Sequence, residues 1–378
     1  MTSHTNIAIV GAGIGGLTAA LCFRHYGFRV DVFEQAPELA EIGAGIQISP
    51  NAFRVFERLS LEDDLKSIGT RAVAIQLRNH SPAHQVARLD LSLSKAQGGY
   101  YLFHRADLIQ ALYTSCKSAG VNVMFGRNIG GPTGLQSDQY DLIVGADGLH
   151  SSFRTLLNSQ SRAFFTRQVA WRAVVANTIE QPAEAHVHMG PHRHIVTYPL
   201  RGKKALNVVC IKEQADWSEE GWNHSDDPSV LAKEFGDFEA LRPVFDQVRT
   251  LHKWGLFRHP IAECWTHENI TLIGDAAHPT LPFLAQGAVM AIEDAWVLAT
   301  CFQREGIHGL GRYQSLRSAR VKRVLATANS NAWKYHLSNP LIRGAAHRVL
   351  GVGSRFAPAR LVRQFDWIYA HDVTHDVS

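Results

Sequence analysis

The stretch "IGDAAHPTLPFLAQGA", Ile273 to Ala288, holds a single acid, Asp275, among two prolines and two glycines. Gly-Asp after a strand is a common turn, and prolines simply forbid helix or sheet. The residues that follow, "GAVMAIEDAWVLATCF", read as a helix starting near Gly287, so the loop delivers the chain to a helix N-terminus, where unpaired backbone N–H groups favour an anion or polar ligand. Near the start, Gly11-x-Gly13-x-x-Gly16 offers a related chemistry. In such a loop Gly11 allows the tight turn, Gly13 lets a pyrophosphate approach the backbone, and Gly16 permits close helix–strand packing. Glu34, followed by Gln35, is placed to bond ribose hydroxyls, and its charge would repel a 2′-phosphate. The pattern predicts dinucleotide binding without choosing between NAD and FAD.

These residues need a scaffold. "NIAIV", a glycine-rich turn, a helix to about Tyr26, a stop at Gly27 and "RVDVFE" form a βαβ opening. "IGAGIQISPNAFRVFERL" sets Gly43, Gly45, Pro50 and Asn51 before a helix, and "VAIQLRN" alternates as a half-buried strand. A further amphipathic helix runs from about Ala106 to Gly120 and leads into an apolar strand. Residues 160–260 show alternating strands and a helix near 228–248, predicting a second, mostly antiparallel domain inserted in the first. The last hundred residues read as chiefly helical.

With 378 residues, 46% of them hydrophobic, the chain can bury a sizeable core. A formal net charge of +4 is too small for a nucleic-acid footprint, although residues 304–378 carry twelve Lys/Arg against four Asp/Glu. Five cysteines include no C-x-x-C pair, which argues against a disulfide framework or zinc site and fits a reducing cytoplasm. Ile7 to Phe23 is glycine-interrupted and lacks a basic flank, so it reads as neither signal peptide nor membrane span. Asp275 with His278, or the hairpin histidines His186, His188, His192 and His194, could suggest metal, but no third ligand stands at suitable spacing beside the first pair and a His-bearing hairpin surface explains the second. No metal is expected.

"DLIVGADGLHSSFR", Asp141 to Arg154, completes an ordered set with the glycine loop and Gly274-Asp275. Together these resemble the class A flavoprotein aromatic monooxygenases, with the para-hydroxybenzoate-hydroxylase fold. "GAGIQISPNA", "HRADL", "AWRAVV", "MGPHRHIVTYPLRG" and "FDWIYAHDVT" are most similar to the salicylate hydroxylase and 6-hydroxynicotinate hydroxylase branch. The resemblance implies an α/β fold with a discontinuous FAD-binding domain of Rossmann type (1–72, 100–158 and 263–325). It also implies an antiparallel substrate domain (73–99 and 159–262) and a C-terminal helical segment (326–378). FAD is the expected cofactor, and NADH or NADPH the transient co-substrate. The implied FAD set is Gly11, Gly13, Gly16, Glu34, Gln35, Gly45, Arg105, Asp147, Asp275, Gly287 and Ala288. In the family Asp147 lies near the pyrophosphate, Arg105 reaches the flavin and Asp275 bonds the ribityl hydroxyls; backbone N–H groups at Gly287 and Ala288 face the edge where reduced flavin gathers negative charge. Without the resemblance, Arg105 and Arg154 read as surface helix residues.

The implied reaction is hydroxylation of a small aromatic acid through a flavin C4a-hydroperoxide, with dioxygen as the other substrate. Arg172 is the candidate partner of a carboxylate. His194 and Tyr198, on one strand face with Val196, and Pro282, in the wall beside the reacting face, complete the candidate catalytic set. His194 reads equally as a satisfied structural histidine. A flavin oxidase or epoxidase on the same scaffold, or a non-catalytic flavin-binding regulator, are the alternatives. The expected assembly is a monomer or homodimer, with no nucleic-acid or membrane partner. Two departures stand out: Gln47 occupies a position where the 6-hydroxynicotinate enzymes carry His, and the link from Gly126 to Gln139 is short for the family.

Overall fold

The computed structural model describes residues 5–39, 44–131, 134–135, 139–158, 163–216, 224–281 and 284–376. Pro282, Gly43 and part of the 126–139 link lie outside the described residues.

Strands with apolar runs and no alternation should be buried on both faces, as parallel sheets are. "NIAIV" and "LIVG" do so: Asn6–Val10 and Leu142–Gly145 are neighbours in a six-stranded sheet. Its order is Thr266–His267, Ile270–Leu272, Leu142–Gly145, Asn6–Val10, Arg29–Phe33 and Asn122–Met124. Every pairing is parallel except the first. The helix Ile14–His25 covers it with Leu17, Ala20 and Phe23 buried, and packs against the helix Gly287–Glu305.

A second sheet of eight strands combines Ala74–Asn79 and His84–Asp90 with six strands between Phe164 and Arg258. All its pairings are antiparallel except that of Glu184–Gly190 with Ala74–Asn79. Alternation divides its faces. Trp171, Ala173, Ile195, Val208 and Cys210 pack under Leu231, Phe235 and Phe238 on one side. The expected helix there is split into Ser229–Phe235 and Arg242–Phe245, with Gly236 and Pro243 breaking its period. On the other face Arg172 and Val174 line up with Val209 and Asn207 on the next strand, and those with Val196 and Tyr198 on the one beyond. The predicted sharing of a face by His194, Val196 and Tyr198 is therefore observed.

A three-stranded sheet, Gly45–Ile48, Tyr100–His104 and Thr70–Ala72, stands against this second face, where Tyr100 and Leu102 join Tyr198, Leu200 and Tyr369 in one apolar cluster. The C-terminal region is helical, with Gly309–Ala332 packed on Gly287–Glu305 and Pro340–Phe356 on the edge strand His84–Asp90.

Candidate active site

The three motifs lie far apart in sequence but meet at the carboxyl ends of adjacent parallel strands. Gly11 follows Val10, Glu34 follows Phe33, Asp147 comes two residues after Gly145, and Gly274-Asp275 follows Leu272 by two. In open α/β sheets, this end is where ligands bind. A recess of about 490 Å³ lined by Arg24, Arg29, Asp31, Asn122 and Tyr140 lies at the opposite, amino end of the strands and is remote from all three motifs.

The glycines leave room for a phosphate chain. Gly11 has φ +109° and a Cβ there would lie 2.3 Å from the Ala146 carbonyl oxygen, while a Cβ on Gly16 would lie 1.9 Å from that of Gly11. Gly13 faces open space, with no other atom within 4 Å of a Cβ, and caps the helix Ile14–His25 without a side-chain hydrogen bond. The helix N-terminus is thus left for an anion. Glu34 Oε2 accepts from Ala12 N at 2.8 Å and Oε1 from Ala36 N at 2.9 Å, so the loop holds the carboxylate in place while lone pairs stay available for ribose hydroxyls. Gln35 beside it is exposed.

Asp147 Oδ2 accepts from Ser152 N at 2.9 Å, whereas its Oδ1 is buried and has no partner among the described residues. A buried acceptor left open at a phosphate-type loop fits a ligand that brings donors. Asp275 is exposed at this edge, between the buried Gly274 and Ala276. Desolvation raises its carboxyl, against the opposing charges of His278, Arg105 and His259. Arg105 starts the helix Arg105–Ser118 with its side chain exposed. Gly287 and Ala288 open the helix Gly287–Glu305, whose cap, Gln286, donates to Ser49 Oγ at 2.9 Å instead of capping the helix. The residues present therefore fit an FAD across this edge.

Next to it, that second face of the eight-stranded sheet carries the polar candidates. Arg172 stacks its guanidinium 5.4 Å from the Trp254 ring centroid, and its Nε is buried without a hydrogen-bond partner. Among the described residues no carboxylate pairs with it. Desolvation, then the charge of Arg105, lowers its pKa, with Tyr198 opposing. Tyr198 is 4% exposed, and burial raises its hydroxyl pKa while Arg172 and a hydrogen bond with Gln47 lower it. Tyr100 donates to Gln47 Oε1 at 2.8 Å. Gly45, expected at the cofactor, backs onto this group: its N donates to Asn207 Oδ1 at 2.8 Å, and a Cβ would lie 2.5 Å from Tyr198 Cε2. Asn207 Nδ2 is a second buried donor without a partner.

His194 is placed differently. It is buried, with Nδ1 2.6 Å from His336 Nε2, and His336 in turn meets Glu213 at 2.9 Å. This ties the C-terminal segment to the sheet, as a structural histidine would. His186 and His188, expected on a hairpin surface, are buried with their ring centroids 6.0 Å apart in an edge-to-face contact, and register sets them opposite Thr197 and Ile195 instead of His192 and His194. His278 turns away from Asp275 to Asp294, at 2.6 Å.

Around that pair is a buried charge network. Asp294 Oδ2 also accepts from Gly274 N at 3.0 Å, and Oδ1 from Arg317 Nε at 2.7 Å. Glu293 takes Arg317 at 2.8 Å, Arg320 at 2.8 Å and Asn51 Nδ2 at 2.6 Å. The hint in the sequence was two adjacent acids inside an otherwise apolar helix. Arg154, read as a surface residue, is 8% exposed and donates to the Ala276 and Ala277 carbonyls at 3.2 and 3.1 Å, bracing the same loop from the other side.

The family model for an FAD binding domain matches residues 4–328. The chain belongs to the class A FAD-dependent aromatic monooxygenases. A 3-amino-4-hydroxybenzoate 2-monooxygenase of Streptomyces cremeus is 34% identical, the match covering 88% of each chain. A 6-hydroxynicotinate 3-monooxygenase of Bordetella bronchiseptica is 29% identical over 90% of this chain and 94% of its own. A solved salicylate hydroxylase substrate complex superposes with a TM-score of 0.80 at 21% identity, covering 99% of this chain and 97% of the other, which shows the common fold. With the FAD binding domain matched over most of its length, this monooxygenase is an FAD enzyme. Among the described residues of the monooxygenase, no cluster of three His, Cys, Asp or Glu could hold a metal and no helix is long and apolar enough to cross a membrane.

Proposed function

We propose that this monooxygenase uses NAD(P)H and dioxygen to hydroxylate a small carboxylated phenol, with Arg172 as the carboxylate partner. The observation that carries the reading is the buried, unpartnered Nε of Arg172, on the sheet face it shares with Tyr198 and Asn207. A buried guanidinium N–H without an acceptor is costly unless a ligand completes it. The named relatives act on a hydroxybenzoate and a hydroxynicotinate, both ring carboxylates bearing a hydroxyl.

FAD, when bound, would pass the two electrons of NAD(P)H to dioxygen, one atom of which goes to the ring while the other leaves as water. Gly11, Gly13, Gly16, Glu34, Asp147 and Asp275 would hold it, with Gln35, Arg105, Gly287 and Ala288 at its border. The chain's own part is orientation and proton handling. A planar fork from Arg172 binds a carboxylate bidentately and fixes the ring in one plane. Tyr198 and Asn207 offer donors to the ring hydroxyl, which favours its ionised, electron-rich form. Burial of this face keeps water from the reacting carbon.

Arg172→Lys keeps the charge and loses the fork. It should raise KM for the acid about tenfold or more and divert reducing equivalents to hydrogen peroxide, while FAD content stays at the wild-type level. Wild-type kinetics in that variant, or equal turnover of phenols lacking the carboxylate, would remove Arg172 from the role.

A further inference from the structure

The helix Pro340–Phe356 is amphipathic, but its apolar side faces outward. Its inner side is fastened to the edge strand His84–Asp90. Ser354 Oγ accepts from Arg88 N at 3.0 Å, and a Cβ on Gly351 would lie 3.3 Å from the Val86 carbonyl oxygen. Ile342, Val349, Val352 and Phe356 recur with Ala345 at intervals of three or four, so they form one stripe along the other side. Leu341 flanks it. These side chains are strongly exposed: Leu341 84%, Ile342 56%, Val349 72%, Val352 58% and Phe356 75%. The stripe amounts to on the order of 500 Å² of apolar surface, near the upper end of what an ordinary monomer leaves in one patch.

Charge says what covers it. From 340 to 363 the chain has five arginines, Arg343, Arg348, Arg355, Arg360 and Arg363, and no acidic residue. Arg348 and Arg355 are exposed and border the stripe on one flank. An identical helix docked antiparallel about a two-fold axis would bring the arginine flanks of the two copies together with no carboxylate between them. A surface with apolar depth and negative headgroups meets both features: the stripe enters the acyl boundary while the guanidinium groups stay at the phosphates.

We infer that the outer face of Pro340–Phe356 is a docking surface for an anionic membrane, on which the enzyme sits peripherally. The contact needs no spanning segment and leaves the site edge at Asp275 and Arg172 untouched.

The test uses the full, FAD-loaded protein with phosphatidylglycerol-containing and pure phosphatidylcholine vesicles in sedimentation assays. The protein should bind anionic vesicles at least about tenfold more tightly than neutral ones, and lose that difference in high salt. Val349→Asp with Phe356→Asp, and separately Arg348→Glu with Arg355→Glu, should each weaken binding about tenfold while FAD content and turnover are kept. No binding to anionic vesicles overturns the inference, as does binding that both variants retain. A vesicle-free dimer at micromolar concentration that Val349→Asp dissociates would show instead that a second copy covers the stripe.

Discussion

Asp294→Asn should be strongly destabilising although it changes only one atom of the side chain. The native carboxylate accepts three hydrogen bonds, from Gly274 N at 3.0 Å, His278 Nε2 at 2.6 Å and Arg317 Nε at 2.7 Å. An amide has one acceptor oxygen, so its NH₂ must point either at Arg317 or at the Gly274–His278 pair, where donors already stand. Asp294, His278 and Arg317 are each no more than 1% exposed, and water cannot repair the mismatch. Breaking one partner of a buried ion pair costs about 3–5 kcal/mol, a large part of the roughly 5–15 kcal/mol that holds a folded domain together. At about 2–4 °C per kcal/mol for a large domain, the melting temperature should fall by roughly 6–20 °C. Because Gly274 precedes Asp275, FAD affinity should fall as well. Thermal melts followed by tryptophan fluorescence, with and without excess FAD, measure both effects. A variant that melts within about 2 °C of wild type and binds FAD equally would show that the network does not position the loop.

Asp275→Ala should release FAD, weakening its binding about tenfold or more by removing a charged acceptor; unchanged affinity in a fluorescence titration would count against its place at the cofactor. His188 and His186 are pushed down, to about 3 and about 4, chiefly by burial. A buried imidazole with a depressed pKa stabilises the fold above the unfolded value near 6.5, and that contribution is lost as pH falls from about 6.5 toward the folded values. Urea melts between pH 7.5 and 4.5 should therefore show stability dropping with acid, and His188→Gln should flatten that slope; an unaltered slope in the variant would refute the assignment.

The sequence made the parallel unit legible because its signals are local: an apolar strand, a glycine turn, a helix stop and an acid follow one another within about thirty residues. Asp275 and Arg172 drew attention only by the company of their motifs, and their roles rest on the tests above. What stayed hidden depends on which helices pack together. Nothing local to Glu293 and Asp294 announces Arg317 and Arg320 from the next helix. His194 finds its partner 142 residues further on, in a segment whose docking no periodicity predicts. Arg154 looked like a surface residue because its helix, Ser152–Leu157, is too short to show a face. Gly45 was placed at the cofactor by its motif, yet its Cα position is what lets Tyr198 and Asn207 approach Gln47 and the backbone.

The central claim is that the site inserts oxygen from dioxygen into a carboxylated phenol. The purified, FAD-loaded chain should be supplied with NADH or NADPH, ¹⁸O-labelled dioxygen and a panel of aromatic acids that includes salicylate, 3-hydroxybenzoate and 3-amino-4-hydroxybenzoate. At least one acid should accelerate reduced-nicotinamide oxidation and yield a hydroxylated product that carries the label, seen by mass spectrometry. If every acid gives only hydrogen peroxide, or if the product takes its oxygen from water, the account is wrong.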